Sequence, residues 1–579
     1  MARASATAGR LRLTAVPGAA HYPQMLRTAL VTIAALLAAA SVQGPRVDLL
    51  IHNARIYTGV PASPWAAAIA ISGDRIVSVG ANAELQRLPA VRTIDAAGRL
   101  VIPGINDAHT HPGASPLHTA LEGPAAMMND PSWTEILERV TAAAAKAPPG
   151  GWIVGEIGGR VLEDPKATRP ALDQLTGGRP LMLGAWHGHG VLFNTAALRA
   201  LKVSETEPDP AGGFFVRMPD GKTLTGLAHE YAAYALVRRF SMLAGPEAAM
   251  AAYQGFAKRA ASFGITSVQA MMTSYPADQA APLFARATLP IRVRLIAFPI
   301  ENPNELGCRS PTPLVTCGGV KYIVDGTPIE RLMFLREPYD DAADTRGRLN
   351  FAEPRLWPAI TISARLQPMF HTVGDAAIDA VLRALEQRSW LTVDRIADPG
   401  PGGRGSRTTS REHHPEGTAS LRPRLEHADM MEPGHFASAK TFGIVVVQNP
   451  SHFMIADTVR ARIGGRIKRT AMVKSILRAG IPFALGSDGP LNPYQNIMFA
   501  TMNPTNPAEA LTVREALDAY TRGSAYAEMM EKEKGTLAPG MLADLAILSQ
   551  DIFEIPTTVL PGTTSVLTVV GGRVVHEVK

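Results

Sequence analysis

Cysteine is nearly absent: two in 579 residues, Cys308 and Cys317, both inside "CRSPTPLVTC". Neither belongs to a CxxC pair, which argues against a zinc knuckle or a dithiol redox motif. In an oxidising compartment a disulfide could close this Pro-rich loop, and two unpaired thiols fit the sequence equally well. Charge is sparse too. Charged residues make up 19%, and 57 Lys and Arg against 51 Asp and Glu leave a net charge of +6, modest for this length. Much of the basic excess lies near the N-terminus and around Arg404 to Arg411. No basic-aromatic stripe accompanies it, which speaks against nucleic-acid binding. Long apolar runs are also missing. "MLRTALVTIAALLAAASVQG", from Met25, is too short for a comfortable membrane span and has the layout of a secretory signal peptide. Residues 1–44 are therefore read as an N-terminal extension and signal peptide, with the true start at Met1 or Met25 and a secreted or periplasmic protein expected. An uncleaved N-terminal anchor is the alternative.

The remainder has the composition of a folded globular protein, 46% hydrophobic. Its length exceeds the usual limit of one core, so a large barrel with a smaller domain is expected. From Val47, "VDLLIHNARIYTG", "AAIAISGDRIVSVG" and "TIDAAGRLVIPG" read as β-hairpins, as do "GMLADLAILSQD" and "TSVLTVVGGRVVHEVK" near the C-terminus. Residues 45–102 and 535–579 are thus expected to pair into one small β-sandwich built from both chain ends. Between them, eight short apolar runs alternate with segments of helical spacing such as "GDAAIDAVLRALEQRS". The runs are "VIPGINDAHTH", "GITSVQAM", "IRVRLIAF", "GGVKYIVDG", "LQPMFHT", "RPRLEHA", "GIVVVQNP" and "IPFALGSDGP". This is the pattern of an α/β chain forming a (β/α)8 TIM-like barrel over residues 103–534. A doubly wound sheet is the rival, disfavoured because polar residues gather at the C-terminal ends of the runs. Residues 113–245 form a long insertion after the first strand. Residues 398–420 are Gly-, Ser- and charge-rich and read as a surface loop, with His413 and His414 in solvent.

Barrel enzymes carry their chemistry where the strands end. Here the first run ends in His109 and His111, the fourth carries Lys321 and Asp325, and the fifth ends in His371. The sixth ends in His427 and the eighth in Asp488. Strand alternation lets His109 and His111 face inward together. A lone buried histidine is more often a hydrogen-bonded core residue than a ligand. Four histidines and an aspartate on successive strand ends are hard to bury without a shared partner, and a divalent metal is the obvious one. Imidazole and carboxylate together suit zinc, with manganese, iron, cobalt or nickel as alternatives.

"PGINDAHTHP", "GGVKYIVDGT", "MFHTVGDAAID", "RLEHAD" and "ALGSDGP", in this order, resemble the metal-dependent amidohydrolase superfamily, and within it the branch that includes N-substituted formamide deformylases. The likeness runs from about Val47 to the end and includes "KGTLAPGMLADLAILSQD". It implies that His109 and His111 hold one metal, with Asp488 ligating it or lying next to it, and that His371 and His427 would hold a second, so one or two ions are expected. Lys321 resembles the lysine that many members carry carboxylated as a bridge between two metals; the alternative is an ordinary lysine paired with Asp325. "WHGHGVLFNTAAL" resembles a segment in which a His and an Asn face the active site, which marks His189 and Asn194 as substrate contacts. "GLAHEYAAY" adds His229 and Glu230, as pocket wall or as a polar pair opening a helix. "HTVGD" and "NPSHFMIAD" depart from the branch's commoner variants, which weakens transfer of specificity more than of chemistry.

The expected activity is hydrolysis of the C–N bond of an amide-like small molecule by metal-activated water, with Asp488 as general base and then acid. An ester or lactone hydrolase or a deaminase would use the same site, although no HxxE-type acid follows the sixth-strand region. An isomerase or decarboxylase is also compatible with the scaffold. A non-catalytic periplasmic binding protein with a relic site would have lost a ligand or Asp488, and neither is lost. Trp152, Trp186, Phe193, Phe214 and Phe215 in the insertion suggest an apolar acyl or N-substituent, or simply a core. The family often self-associates, so a homo-oligomer is compatible with the likeness.

Overall fold

A computed structural model describes residues 46–300, 305, 308–351, 366–396 and 421–578. The signal-peptide and 398–420 loop expectations lie outside these residues. Among the described residues no helix is long and apolar enough to cross a membrane.

The eight runs form one parallel eight-stranded sheet in sequence order: β1 (Ile105–Thr110), β2 (Ile265–Met271), β3 (Arg292–Ala297), β4 (Val315–Ile323), β5 (Pro368–Thr372), β6 (Arg424–His427), β7 (Val445–Gln448) and β8 (Phe483–Leu485). β2, for example, is buried at every position, as expected of a parallel strand covered on both faces. The sheet almost closes into the expected barrel. The Asp488 amide donates to His109 O at 2.9 Å, and the Ser487 amide donates to the Asp107 carboxylate at 2.9 Å, tying the end of β8 to β1. Gly486 is required at this seam, because a Cβ there would lie 2.5 Å from the Cβ of His109.

Strands from the two chain ends pair directly. Leu100–Pro103 lies antiparallel to Leu545–Leu548 with Ala546 opposite Ile102, inside a six-stranded sheet. A four-stranded sheet around Val47–His52 packs on it over an apolar core that includes Ile51, Ile71, Val101, Ile547 and Val569. The segment after β1 builds a second six-stranded sheet, covered by the helix Trp133–Lys146. That helix begins with a reciprocal capping box between Ser132 and Glu135. Cys308 and Cys317 are joined by a disulfide.

Candidate metal centre and active site

Of the strand-end residues singled out above, all but Asp325 line one cavity of about 730 Å³: His109, His111, Lys321, His371, His427 and Asp488. The opening lies among loops that follow the strands, the face where this architecture places function.

The geometry is set from beneath. Arg424 and Glu426, two residues apart on β6, point together into the barrel, and both are fully buried. Arg424 donates to Glu426 at 2.7 and 3.0 Å, to Ala108 O at 2.8 Å, and to Gln269. Glu426 in turn lies 2.6 Å from His109 Nδ1. Burial alone would raise the Glu426 carboxyl, but Arg424 and then His109 hold it down at about 2. Burial and the neighbouring Lys321 hold His109 at about 4. This pair is therefore a neutral imidazole donating Nδ1–H to a carboxylate, and the lone pair is left on Nε2.

That Nε2 faces a convergence of ligand-type atoms. His111 Nε2 is 3.3 Å away, Lys321 Nζ 3.1 Å and Asp488 Oδ2 3.7 Å. Asp488 Oδ1 is 3.3 Å from His111 Nε2, and its Oδ2 is 3.6 Å from His427 Nε2. Burial opposes ionisation of Asp488, yet His109, His111 and His452 hold its carboxyl well below the usual range. The His371 ring packs on His427 with centroids 4.4 Å apart. Burial holds both imidazoles well below their ordinary value, in the form that binds metal, against the opposing pull of Asp488 on His427. His371 Nδ1 is buried without a hydrogen-bond partner. Facing imidazole nitrogens with a carboxylate between them fit a divalent cation. His109, His111 and Asp488 form one cluster with ligand spacing, and His427, His452 and Asp488 form another.

Lys321, only 1% exposed, does not pair with Asp325. Burial lowers its ammonium to about 8. Asp325 instead accepts the amides of Phe334, Val373 and Gly374, each at 2.9 Å, and fixes the turn after β5. Burial pushes its carboxyl up to about 8.

One expectation about the insertion is corrected. His189 does line the cavity, but Asn194 does not. Asn194 is the N-cap of the helix Thr195–Ala200: its oxygen accepts from Ala197 N and Leu181 N, and its nitrogen donates to Thr176 and to Arg179 O. A fully committed amide has nothing to offer a substrate. Of the five aromatic residues singled out in the insertion, only Trp186 reaches the cavity. Trp152, Phe193 and Phe215 belong to the insertion's own core, and Phe214 stacks on His229. Sequence reasoning also missed several residues. His187 and Tyr234 line the cavity, and His452 Nε2 sits 2.9 Å from Asp488 O.

The pattern that defines the amidohydrolase family matches residues 92–576. The chain is 28% identical over 549 residues to the protein LONG AFTER FAR-RED 3 of Arabidopsis thaliana, covering 88% of each. It is 26% identical over 580 residues to the N-substituted formamide deformylase of Arthrobacter pascens, covering 92% of this chain and 98% of that one. Among solved structures, an uncharacterised metal-dependent hydrolase from Pyrococcus horikoshii OT3 shares the fold, with TM-score 0.64 and 20% identity over 88% of this chain and 99% of that one.

Proposed function

The chain belongs to the amidohydrolase family, and from that premise we propose that it hydrolyses an N-acyl, formamide or cyclic amide small molecule at the C–N bond. The observation that carries the reading is His109, whose Nε2 is freed by the buried Glu426 and aimed at His111 and Asp488. The N-substituted formamide deformylase of Arthrobacter pascens, similar over nearly its whole length, supports an amide substrate.

In this proposal His109, His111 and Asp488 hold a divalent ion, taken to be zinc, and His371 and His427 hold a second. Lys321 carries a carboxyl group formed from its neutral amine and carbon dioxide, with release of a proton. Its near-complete burial beside His109, with no carboxylate pairing it among the described residues, supports that change: an anionic carbamate suits two dications better than an ammonium does. A bound divalent ion would supply an activated water and polarise the scissile carbonyl. Asp488 takes the proton from the attacking water and hands it to the departing nitrogen. It is placed for this by the hydrogen bond its backbone amide donates to His109 O at the seam and by His111 and His427 on either side. The apolar run from Met25 makes export part of the proposal.

Elemental analysis of the purified chain, followed by a panel of formamides, N-acyl amides, cyclic amides and esters, tests the reading. Two metal equivalents with turnover of an amide support it. A metal-free chain that turns over no amide, or one that cleaves esters alone, overturns it.

A further inference from the structure

The cavity that holds the candidate metal ligands does not stop at them. It runs outward between the insertion and the helix Gly245–Ser262, past Met182, Val237, Ala252, Phe256 and Leu491, and reaches Arg259. Ala252, Phe256 and Arg259 stand at i, i+4 and i+7, so one face of that helix forms the wall. Helical rise puts Arg259 about 10 Å beyond Ala252 along the axis. The helix is joined to the start of β2 by Phe263 and Gly264 and runs back against it, so Ala252 is nearer the strand ends and Arg259 farther away.

On another side the insertion is pinned to the barrel by charge. Glu163 of the insertion accepts from Arg331, which follows β4, at 2.7 Å, and from Arg462, which follows β7. Both arginines also donate to Asp341, at 2.9 and 2.6 Å, and Arg462 donates to Ile329 O at 2.8 Å. None of these residues lines the cavity, which extends towards Arg259 instead.

Arg259 stands apart from the apolar wall that leads to it. It is exposed, and its guanidinium has no hydrogen bond or ion pair among the described residues, although its backbone oxygen accepts from Ser262 at 2.7 Å. Glu247, the one acidic residue of the same helix, is committed to Arg286 at 3.2 Å. Among the described residues Asp488, at the metal end, is the only carboxylate that lines the cavity. A cation in the last turn of a helix ordinarily serves the terminal carbonyls. This one turns away from them: its Nη1 lies 3.7 Å from where a Cβ on Gly255, one turn earlier, would stand.

We infer that the substrate is an amide with a carboxylate at the end of an apolar body, and that Arg259 binds that carboxylate. Val237, Phe256 and Leu491 hold the body, and the planar guanidinium donates to both carboxylate oxygens. Arg259 is thus a specificity-determining residue: it touches a part of the substrate that does not react, and no bond to it forms or breaks. A solvated surface arginine with no ligand is the competing account.

The inference rests on the amide-hydrolysis reading, and the test keeps the two apart. Full-length metal-loaded enzyme is given N-formyl ω-amino acids of increasing chain length, each beside the neutral N-formyl alkylamine of the same length. Above a threshold length, wild type should show the lower KM for the carboxylate of each pair, and the gap should narrow as ionic strength rises. R259M should raise KM for the carboxylates about three- to fivefold, the worth of an exposed ion pair, with the loss in KM and not in kcat. R259E should turn the preference towards the N-formyl diamine of that length, whose far end is an ammonium. K258M removes the same charge from the neighbouring residue, which does not line the cavity, and should keep the wild-type preference. Equal KM within every pair in wild type, an R259M preference matching wild type, or a K258M loss matching R259M overturns the inference. Where wild type hydrolyses none of the series, calorimetric binding of the same carboxylates decides the subsite: no binding, or equal affinity in R259M, refutes it. Absence of all amide turnover with that binding intact would refute the amide reading alone.

Discussion

The floor of the barrel and the interior of the sandwich are both buried, and they are built from opposite materials. The sandwich is closed by Ile51, Ile71, Val101, Ile547 and Val569, side chains that only need to fill space. The barrel floor is a polar lattice of Arg424, Glu426 and Gln269, joined by Arg294 with Gln367 at 2.9 Å and by Asn106 with Glu528 at 2.6 Å. An apolar core adds stability in proportion to area and tolerates exchange of similar shapes. A buried polar lattice fixes directions, because each group has a named partner and loses heavily without it. The contrast shows where this chain keeps stability and where it keeps orientation.

The largest separation between the two regions is expected from Asp488→Asn. Turnover should fall by roughly 10²–10⁴, as steady-state kinetics would show, and metal affinity should fall with it because the carboxylate is also a proposed ligand. Full activity in that variant would remove Asp488 from the chemistry. Next is Glu426→Ala on the barrel floor. It should lower stability by about 3–5 kcal/mol in denaturant titration, because Arg424 is left charged and buried. It should also weaken metal affinity by about 10–100-fold, because His109 loses its anchor. Ile547→Ala in the sandwich should be comparable in stability, about 2–5 kcal/mol, yet leave kcat and metal affinity unchanged. If Ile547→Ala altered metal binding, the division of labour drawn here would be wrong. Asn194→Ala should cost about 0.5–2 kcal/mol as a lost helix cap, with KM unaffected. Ile71→Val is the mildest, about 0.5–1.5 kcal/mol.

Much of the fold was legible because its signals are local. Each barrel strand is a short apolar run, and a histidine, lysine or aspartate at its end stands out against it. The supporting lattice was not legible, for a geometric reason. Alternation in "RPRLEHAD" puts Arg424 and Glu426 on one face and His427 on the other, so one strand should not deliver both the anchor and a ligand. It does so because His427 leaves the strand at φ 68°, a turn the letters do not announce. Asp488, at φ 36°, makes a similar departure. Asn194 was misread although its signal was present: Asn followed by "TAAL" is a helix-start signature, and the cap took precedence over the family likeness. Glu230 and Tyr234 meet His189, more than forty residues from each, and no local pattern links them.

The strand Leu100–Pro103 runs straight into the one bearing His109 and His111, and it is braced by Leu545–Leu548. The consequence concerns biosynthesis. A nascent chain emerging from the ribosome holds both histidines early, but Glu426, which anchors His109, and the bracing strand Leu545–Leu548 are made much later. Asp488 arrives almost as late. A truncated product lacking its last forty residues would be expected to carry every proposed ligand yet lose the brace on the strand that leads into His109.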